Sequence, residues 1–289
     1  MAQAKFAVIG HPVAHSLSPR MHAANFAAIG FDGAYGKFDV EPGDLLEAVR
    51  TFAREGYLGL NVTVPHKEAV IGALDKVDES VMRYGACNTV KFERDGTISG
   101  WNTDVDGFLS CLEARGFSLK GAKVFIIGLG GAGAALATAC CIEGASSLSL
   151  AARSEGRAAR LAERLSGAAN GTCLRALSPA LEGGGHIAEW SEAAYEADIV
   201  VNATPLGLKA GDPSALPASA FRKGQFVLDI VPTAEFPPTA ALAASVGAEA
   251  VDGLEFLVGQ GAKSFEIWTG LKADRKSMMA ALRPGKENV

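Results

Sequence analysis

Surplus positive charge is missing from this chain of 289 residues: 27 Lys and Arg stand against 32 Asp and Glu, a formal net charge of −5 at pH 7. A nucleic-acid footprint needs a basic surplus, so nucleic acid is not an expected partner. Cysteine is scarce and badly placed for bridging. The five, Cys87, Cys111, Cys140, Cys141 and Cys173, are odd in number, two are adjacent, and no C-x-x-C spacing occurs. Neither a disulfide framework nor a zinc site fits that pattern, so reduced thiols, no metal and a cytoplasmic location are expected. Charged residues are held to 20% while apolar ones reach 48%, which excludes a disordered, solvating chain. The opening MAQAKFAVIGHP is broken too early by polar residues to read as a signal peptide. One uncharged run, Val124 to Ile142, has the length of a membrane span. It opens on the β-rich VFII and then carries Gly128, Gly130, Gly131 and Gly133. A strand, a glycine turn and a buried helix explain it better, and no membrane partner is expected.

What is present is an alternation of short apolar runs with helical segments, the pattern of a mostly parallel α/β sheet. At about 150 residues per domain the length suggests two domains. In the first part, strands are expected at Phe6–Ile9, Ala34–Phe38, Leu58–Val62, Thr89–Phe92 and Thr97–Gly100. Ser18 reads as an N-cap with Pro19 at the first helical position, opening a helix to Ile29. Further helices are expected at Asp44–Glu55, Pro65–Leu74 and Val105–Arg115. Beyond residue 122 the texture turns glycine- and alanine-rich, with strands at Val124–Ile127, Leu148–Ala151, Ile199–Asn202, Phe226–Ile230 and Glu249–Val251. Helices lie between them, notably Arg157–Leu165, and the segment Leu254–Leu282 is helical again. Glu182–His186 and Lys209–Ser219 read as surface loops.

Gly128-Leu129-Gly130-Gly131-Ala132-Gly133 fits G-x-G-x-x-G and stands where that spacing has a mechanism, after a strand and before a helix. Gly128 allows the tight turn, Gly130 lets backbone N–H groups approach a pyrophosphate, and Gly133 lets helix and strand pack closely. The next strand ends LSLAARSEGR. Ala151 and Ala152 stand where an NAD site would place an acid for the ribose 2′-hydroxyl. Arg153 and Arg157 follow, and two guanidiniums suit a 2′-phosphate. On residues alone they are either that clamp or solvated surface charges; NADP is favoured over NAD.

Three polar clusters sit at strand ends in the first 104 residues. His15-Ser16-Leu17-Ser18-Pro19 offers hydroxyls at a helix start, where an anion is welcome, although Ser18 is equally explained as a cap alone. Asn61-Val62-Thr63-Val64-Pro65-His66-Lys67 delivers a lysine just inside an expected helix, an electrostatically unfavourable place that implies a task for Lys67. Gly100-Trp101-Asn102-Thr103-Asp104 supplies an acid at another strand end. Lys67 and Asp104 form either a proton-handling pair or a surface ion pair.

Together these pieces resemble the shikimate dehydrogenase family over essentially the whole chain. The matching stretches are VIGHPVAHSLSP near the start, GLNVTVPHK at 59–67, GACNTV at 85–90, GWNTD at 100–104, GLGGAG at 128–133, NATPLG at 202–207 and GLEFLVGQGAKSFEIWTG at 253–270. The resemblance implies an N-terminal α/β substrate domain, 1–104 completed by 254–289, and a Rossmann dinucleotide-binding domain, 105–253, with a cleft between them. It implies NADP-dependent reversible reduction of 3-dehydroshikimate to shikimate, in aromatic amino-acid biosynthesis, by hydride transfer with Lys67 and Asp104 as the catalytic pair. Ser16 and Ser18, supported by Thr63, match binders of the substrate carboxylate; Asn88, Asp104 and Gln260 match holders of ring hydroxyls. Gly128, Gly130, Gly131, Ala132, Gly133, Arg153, Ser154, Arg157, Thr204 and Gly253 match cofactor positions. Monomer and homodimer both remain open.

Two departures stand out. Pro232 occupies the place of a substrate-binding tyrosine usual in the family, and Ala152-Arg153-Ser154 replaces the usual Asn-Arg-Thr. They keep open a relative that prefers quinate or an aminated shikimate, with NAD among its cofactors. A non-catalytic metabolite sensor is the rival of another class, and the presence of both Lys67 and Asp104 speaks against it.

Overall fold

The computed structural model describes residues 3–179, 187–233 and 235–283. The loop expected at Glu182–His186 lies outside them. The chain divides into two compact units, Met1–Phe108 with Leu257–Val289, and Leu109–Phe256.

The first unit runs β1 (Ala4–Gly10), α1 (Ser18–Ile29), β2 (Gly33–Asp39), α2 (Leu45–Arg54), β3 (Tyr57–Val62), β4 (Lys76–Val77), α3 (Glu79–Tyr84), β5 (Thr89–Phe92), β6 (Ile98–Trp101) and α4 (Asp104–Glu113). Its sheet has the order β2-β1-β3-β5-β6-β4. Helical crossovers make β1 parallel to both β2 and β3, and the β5–β6 hairpin turns antiparallel. Period-two alternation sends Ala7, Ile9, Leu60 and Val62 into a core with Leu45, Val49 and Phe52 of α2. Phe6 packs instead with Phe26, Phe265 and Trp268. The Trp268 indole donates to Val90 O at 2.8 Å. A Cβ on Gly59 would stand 2.2 Å from that indole nitrogen, so glycine is required there.

The second unit runs β7 (Lys123–Ile127), α5 (Gly131–Ile142), β8 (Ser147–Ala151), α6 (Arg157–Ser166), β9 (Cys173–Ala176), α7 (Ile187–Glu196), β10 (Ile199–Asn202), β11 (Phe226–Asp229), α8 (Pro238–Ser245) and β12 (Glu249–Val251). The chain then returns through α9 (Gly253–Thr269) and α10 (Arg275–Leu282). All strands of this sheet are parallel, in the order β12-β11-β10-β7-β8-β9. Counted from β7 this is the doubly wound Rossmann arrangement, with its switch point between β7 and β10. Both faces are covered, so β10 and β11 are buried at every residue. The uncharged run is a core helix: Gly133 through Cys141 of α5 are all buried. Among the described residues no helix is long and apolar enough to cross a membrane.

Three local expectations need correction. Leu17, not Ser18, is the N-cap of α1; Ser18 and Pro19 are its first two helical residues. No helix opens at Pro65, because the Lys67 carbonyl accepts the Cys87 N–H at 2.7 Å and is lost to helical bonding; a short 3-10 turn, Ala69–Ala73, follows. The segment 254–282 is two helices, broken at Gly270 with φ 72 and restarted where Asp274 accepts the Ser277 N–H.

Candidate active site

In the first unit the turn after β3 presents Lys67, and α4 opens on Asp104. Lys67 Nζ donates to Asp104 Oδ2 at 2.6 Å, and the two side chains are only 11% and 2% exposed. That burial separates the pair from a solvated surface contact. Asn102 fixes the acid: its Oδ1 accepts the N–H of Asp104 at 3.1 Å and of Val105 at 3.4 Å, while its Nδ2 donates to Ala86 O at 2.8 Å. Asp104 therefore lies in the first turn of α4, where the helix dipole favours negative charge.

Asn88 sets the polarity of the pair. Its Oδ1 accepts the Thr103 backbone N–H at 2.7 Å, which turns the amide nitrogen toward Asp104 Oδ1 at 2.8 Å. Both carboxylate oxygens of Asp104 thus face donors, Lys67 Nζ on one side and Asn88 Nδ2 on the other. The same amide nitrogen approaches Gln260 Oε1 at 3.2 Å, and Gln260 Nε2 donates to Leu257 O. Lys67, Asp104, Asn88 and Gln260 are accordingly joined directly.

Ser16, Ser18 and Thr63 lie in the same unit but outside that hydrogen-bonded group. Ser16 Oγ accepts the Ser18 N–H at 3.4 Å, and Ser18 is buried in the first turn of α1. That turn has no capping side chain and no acid, which leaves it suited to an anion. Thr63 follows β3, its N–H donating to Ile9 O at 2.9 Å. A Cβ on Gly10 would stand 2.4 Å from Thr63 Cγ2, so the ends of β1 and β3 approach only through glycine.

Several buried polar groups were not singled out from sequence. Asn61 Nδ2 donates to Ser264 Oγ at 2.9 Å and to Asn88 O at 3.1 Å, and its Oδ1 accepts the Tyr35 hydroxyl at 2.7 Å. Ser264 also meets Thr89 Oγ1 at 2.7 Å and Thr103 Oγ1 at 3.1 Å. The signal was weak but present: Ser264 lies one helical turn after Gln260, and Asn61 shares a strand face with Thr63.

In the second unit the glycine turn links β7 to α5. Gly128 has φ 91, and a Cβ there would lie 2.5 Å from Thr204 N, so the turn packs against the end of β10. A Cβ on Gly133 would lie 1.9 Å from Gly128 O. Gly130 differs, because a Cβ there would meet nothing within 4 Å. It is the N-cap of α5, which has no capping side chain and no acid in its first turn. Free N–H groups of Gly131, Ala132 and Gly133 beside open space make a fitting cradle for a dinucleotide pyrophosphate.

Arg157 Nε donates to Leu129 O at 2.8 Å, which ties this guanidinium to the turn. Arg153 and Ser154 are exposed, and Ala152 is buried. One arginine is therefore anchored and the other solvated, with Ala151 and Ala152, not an acid, at the strand end itself and the exposed Glu155 between the two arginines. Thr204 donates through N–H and Oγ1 to Asn202 Oδ1, at 3.1 and 2.7 Å. Gly253 is not joined to this group. A Cβ there would stand 2.3 Å from the Val231 carbonyl, so its own backbone packing already requires glycine. Among the described residues no group of three or more His, Cys, Asp or Glu is disposed to hold a metal, and none of the five cysteines forms a disulfide.

A doubly wound sheet with an uncapped glycine turn at its switch point, in one chain with a buried lysine–aspartate pair, defines an α/β oxidoreductase of the dinucleotide-binding class. Residues 8–90 match the shikimate dehydrogenase substrate binding domain, and residues 253–283 match the shikimate 5′-dehydrogenase C-terminal domain. The shikimate dehydrogenase (NADP(+)) of Rubrobacter xylanophilus is 42% identical over 280 residues, 95% of this chain and 94% of that one. The crystal structure of shikimate 5-dehydrogenase from Thermus thermophilus, in complex with NADP(H) and shikimate, superposes with a TM-score of 0.82 at 37% identity, covering 97% and 98% of the two chains. Quinate dehydrogenase from Corynebacterium glutamicum, in complex with NAD, gives 0.82 at 30% identity, covering 96% and 98%. This chain belongs to the shikimate dehydrogenase family.

Proposed function

We propose that the chain is an NADP-dependent shikimate dehydrogenase that interconverts 3-dehydroshikimate and shikimate in aromatic amino-acid biosynthesis, with Lys67 and Asp104 as its proton-handling pair. The observation that carries this reading is the buried 2.6 Å contact between Lys67 Nζ and Asp104 Oδ2, with Asn88 donating to the other carboxylate oxygen. NADP, held by the Gly128–Gly133 turn with Arg153 and Arg157 at its 2′-phosphate, supplies the hydride acceptor or donor. Lys67 gives a proton and a hydrogen bond to the substrate oxygen during reduction and takes the proton back during oxidation. Asp104, which accepts from Lys67 and from Asn88, aims the ammonium. Ser16 and Ser18 bind the substrate carboxylate, with Thr63 beside them. Asn88 and Gln260 hold ring hydroxyls.

Initial rates of cofactor reduction, with shikimate or quinate against NADP or NAD, test this. Turnover is expected with shikimate and NADP. Its absence from that combination would overturn the reading. Preference for quinate or for NAD would favour the paralogous activity instead, and would give Pro232 and Ala152 a selective role.

A further inference from the structure

The segment between β1 and α1, residues 11–17, carries Ser16 and runs into Ser18, and the edge strand β2 holds it from the side. β1 and β2 pair in register as far as Gly10↔Asp39, so His11 emerges beside the end of β2. Alternation along β2 puts Lys37 and Asp39 on one face, and both reach the segment. His11 Nδ1 meets Asp39 Oδ1 at 2.5 Å, the Val13 N–H donates to Asp39 Oδ2 at 3.4 Å, and Lys37 Nζ donates to Ala14 O. His11 Nε2 stands 3.6 Å from Glu41 Oε2. The Ser16 N–H in turn donates to Val13 O at 3.0 Å, so Ser16 hangs from a residue that Asp39 grips. Toward the catalytic side, the His11 N–H donates to Val64 O at 2.9 Å, three residues before Lys67.

We propose that His11, Asp39 and Lys37 are positioning residues that hold segment 11–17 so that Ser16 and Ser18 meet the substrate carboxylate, with the charge on His11 setting the strength of the hold. This rests on the reading that Ser16 and Ser18 bind that carboxylate. The hydrogen bond to Asp39, aided by the charge of Glu41, raises the His11 pKa above its ordinary 6.5, and the same contact lowers that of Asp39. Lys37 of β2 and His66, whose Nε2 bonds Val40 O at 2.7 Å, are the other ionisable groups facing this cluster. The sign follows. The imidazolium–carboxylate contact is complete below 6.5, persists up to the raised value, and is lost above it. Substrate KM therefore rises on the alkaline side, while kcat, set by Lys67 and Asp104, does not respond to His11.

The test is steady-state kinetics with shikimate at saturating NADP from pH 6 to 9, on the native chain, His11→Asn and Asp39→Asn, with thermal melts to verify folding. In the native chain KM rises about threefold as His11 loses its proton, the size expected of one exposed charged contact. In His11→Asn, KM stays at the raised value at every pH and kcat follows the native profile. In Asp39→Asn the imidazolium has no carboxylate to hold, so KM stays at the raised value at every pH, as in His11→Asn. If His11→Asn tracks the native KM, or its loss falls on kcat, the proposal is overturned; a KM in Asp39→Asn that still rises with pH as in the native chain overturns it equally. Ser18→Ala keeps the two readings apart. An unchanged KM in that variant defeats the carboxylate assignment itself, whereas a raised KM there beside an unaffected His11→Asn defeats the positioning proposal alone.

Discussion

Lys67 and Asn88 act on the same carboxylate from two sides, but only the lysine can move a proton. Lys67→Ala is expected to lower kcat by about 10²–10⁴-fold while shikimate Kd changes only a few-fold, read by initial rates and isothermal titration. A matching loss of binding and turnover would mean that Lys67 holds substrate rather than protonates it. The two arginines divide differently. Arg157 carries a structural tie to Leu129 O, and Arg153 carries none that the described residues show. Arg153→Ala should raise the NADP KM, leave the NAD KM alone and keep the Tm. Arg157→Ala should raise the NADP KM and also lower the Tm. Equal Tm values for the two variants would show that the Leu129 bond contributes nothing measurable.

At the scale of elements, the glycine turn separates packing from binding. A Cβ on Gly133 would stand 1.9 Å from Gly128 O, so Gly133→Ala must push α5 off β7. A lowered Tm, by several degrees or more, is expected in a thermal melt. A Cβ on Gly130 meets nothing in the protein and would fill the space in front of the α5 N-terminus. Gly130→Ala should melt like the native chain and bind NADP at least tenfold more weakly. Native affinity in that variant would place the pyrophosphate elsewhere. This division was partly legible in the sequence, since VFII followed by four glycines in six residues admits few folds. Buried strands with continuous apolar runs and the motifs at strand ends were readable for the same reason. The helix assigned to Pro65–Leu74 was not safe, because one long-range bond from the Cys87 N–H takes the Lys67 carbonyl and overrides local propensity. A two-residue strand such as β4 has no periodicity to read. The site shows the same limit: Lys67 and Asp104 each announced themselves locally. The Asn88 amide that orients Asp104, and the bond from Asn61 to Ser264 across 203 positions, exist only once the chain is folded.

At the scale of the whole molecule, each unit buries an ionisable group whose shift answers acid with the opposite sign. His22 in the first unit is fully buried and stacks on Tyr35 at 4.3 Å. Among the described residues neither ring nitrogen has a hydrogen-bond partner, since the amide hydrogens of nearby Asn61 are taken by Asn88 O and Ser264. Burial lowers its pKa from 6.5 to about 3. A depressed histidine keeps its folded environment only while neutral. Stability is therefore full above 6.5 and falls as pH drops toward 3, by about 3 kcal/mol at pH 4.5. Asp229, at the end of β11 in the second unit, has one carboxylate oxygen without a partner among the described residues, and burial raises its pKa from 3.8 to about 6. A raised carboxyl has the reverse sign: its contribution is present below 3.8 and lost as pH climbs through 6. Acidification from pH 7 to 4.5 thus returns about 2 kcal/mol to the second unit. Trp101 and Trp268 belong to the first unit and Trp190 to the second, so Trp190→Phe confines the tryptophan signal to the first. Urea melts of that variant followed by tryptophan fluorescence should lose stability between pH 7 and 4.5. Adding His22→Phe, which keeps a ring against Tyr35 but removes the titrating nitrogens, should abolish most of that loss. An equal loss with Phe at position 22 would remove His22 as its source, and would move the acid sensitivity of the first unit to its salt-bridged carboxylates.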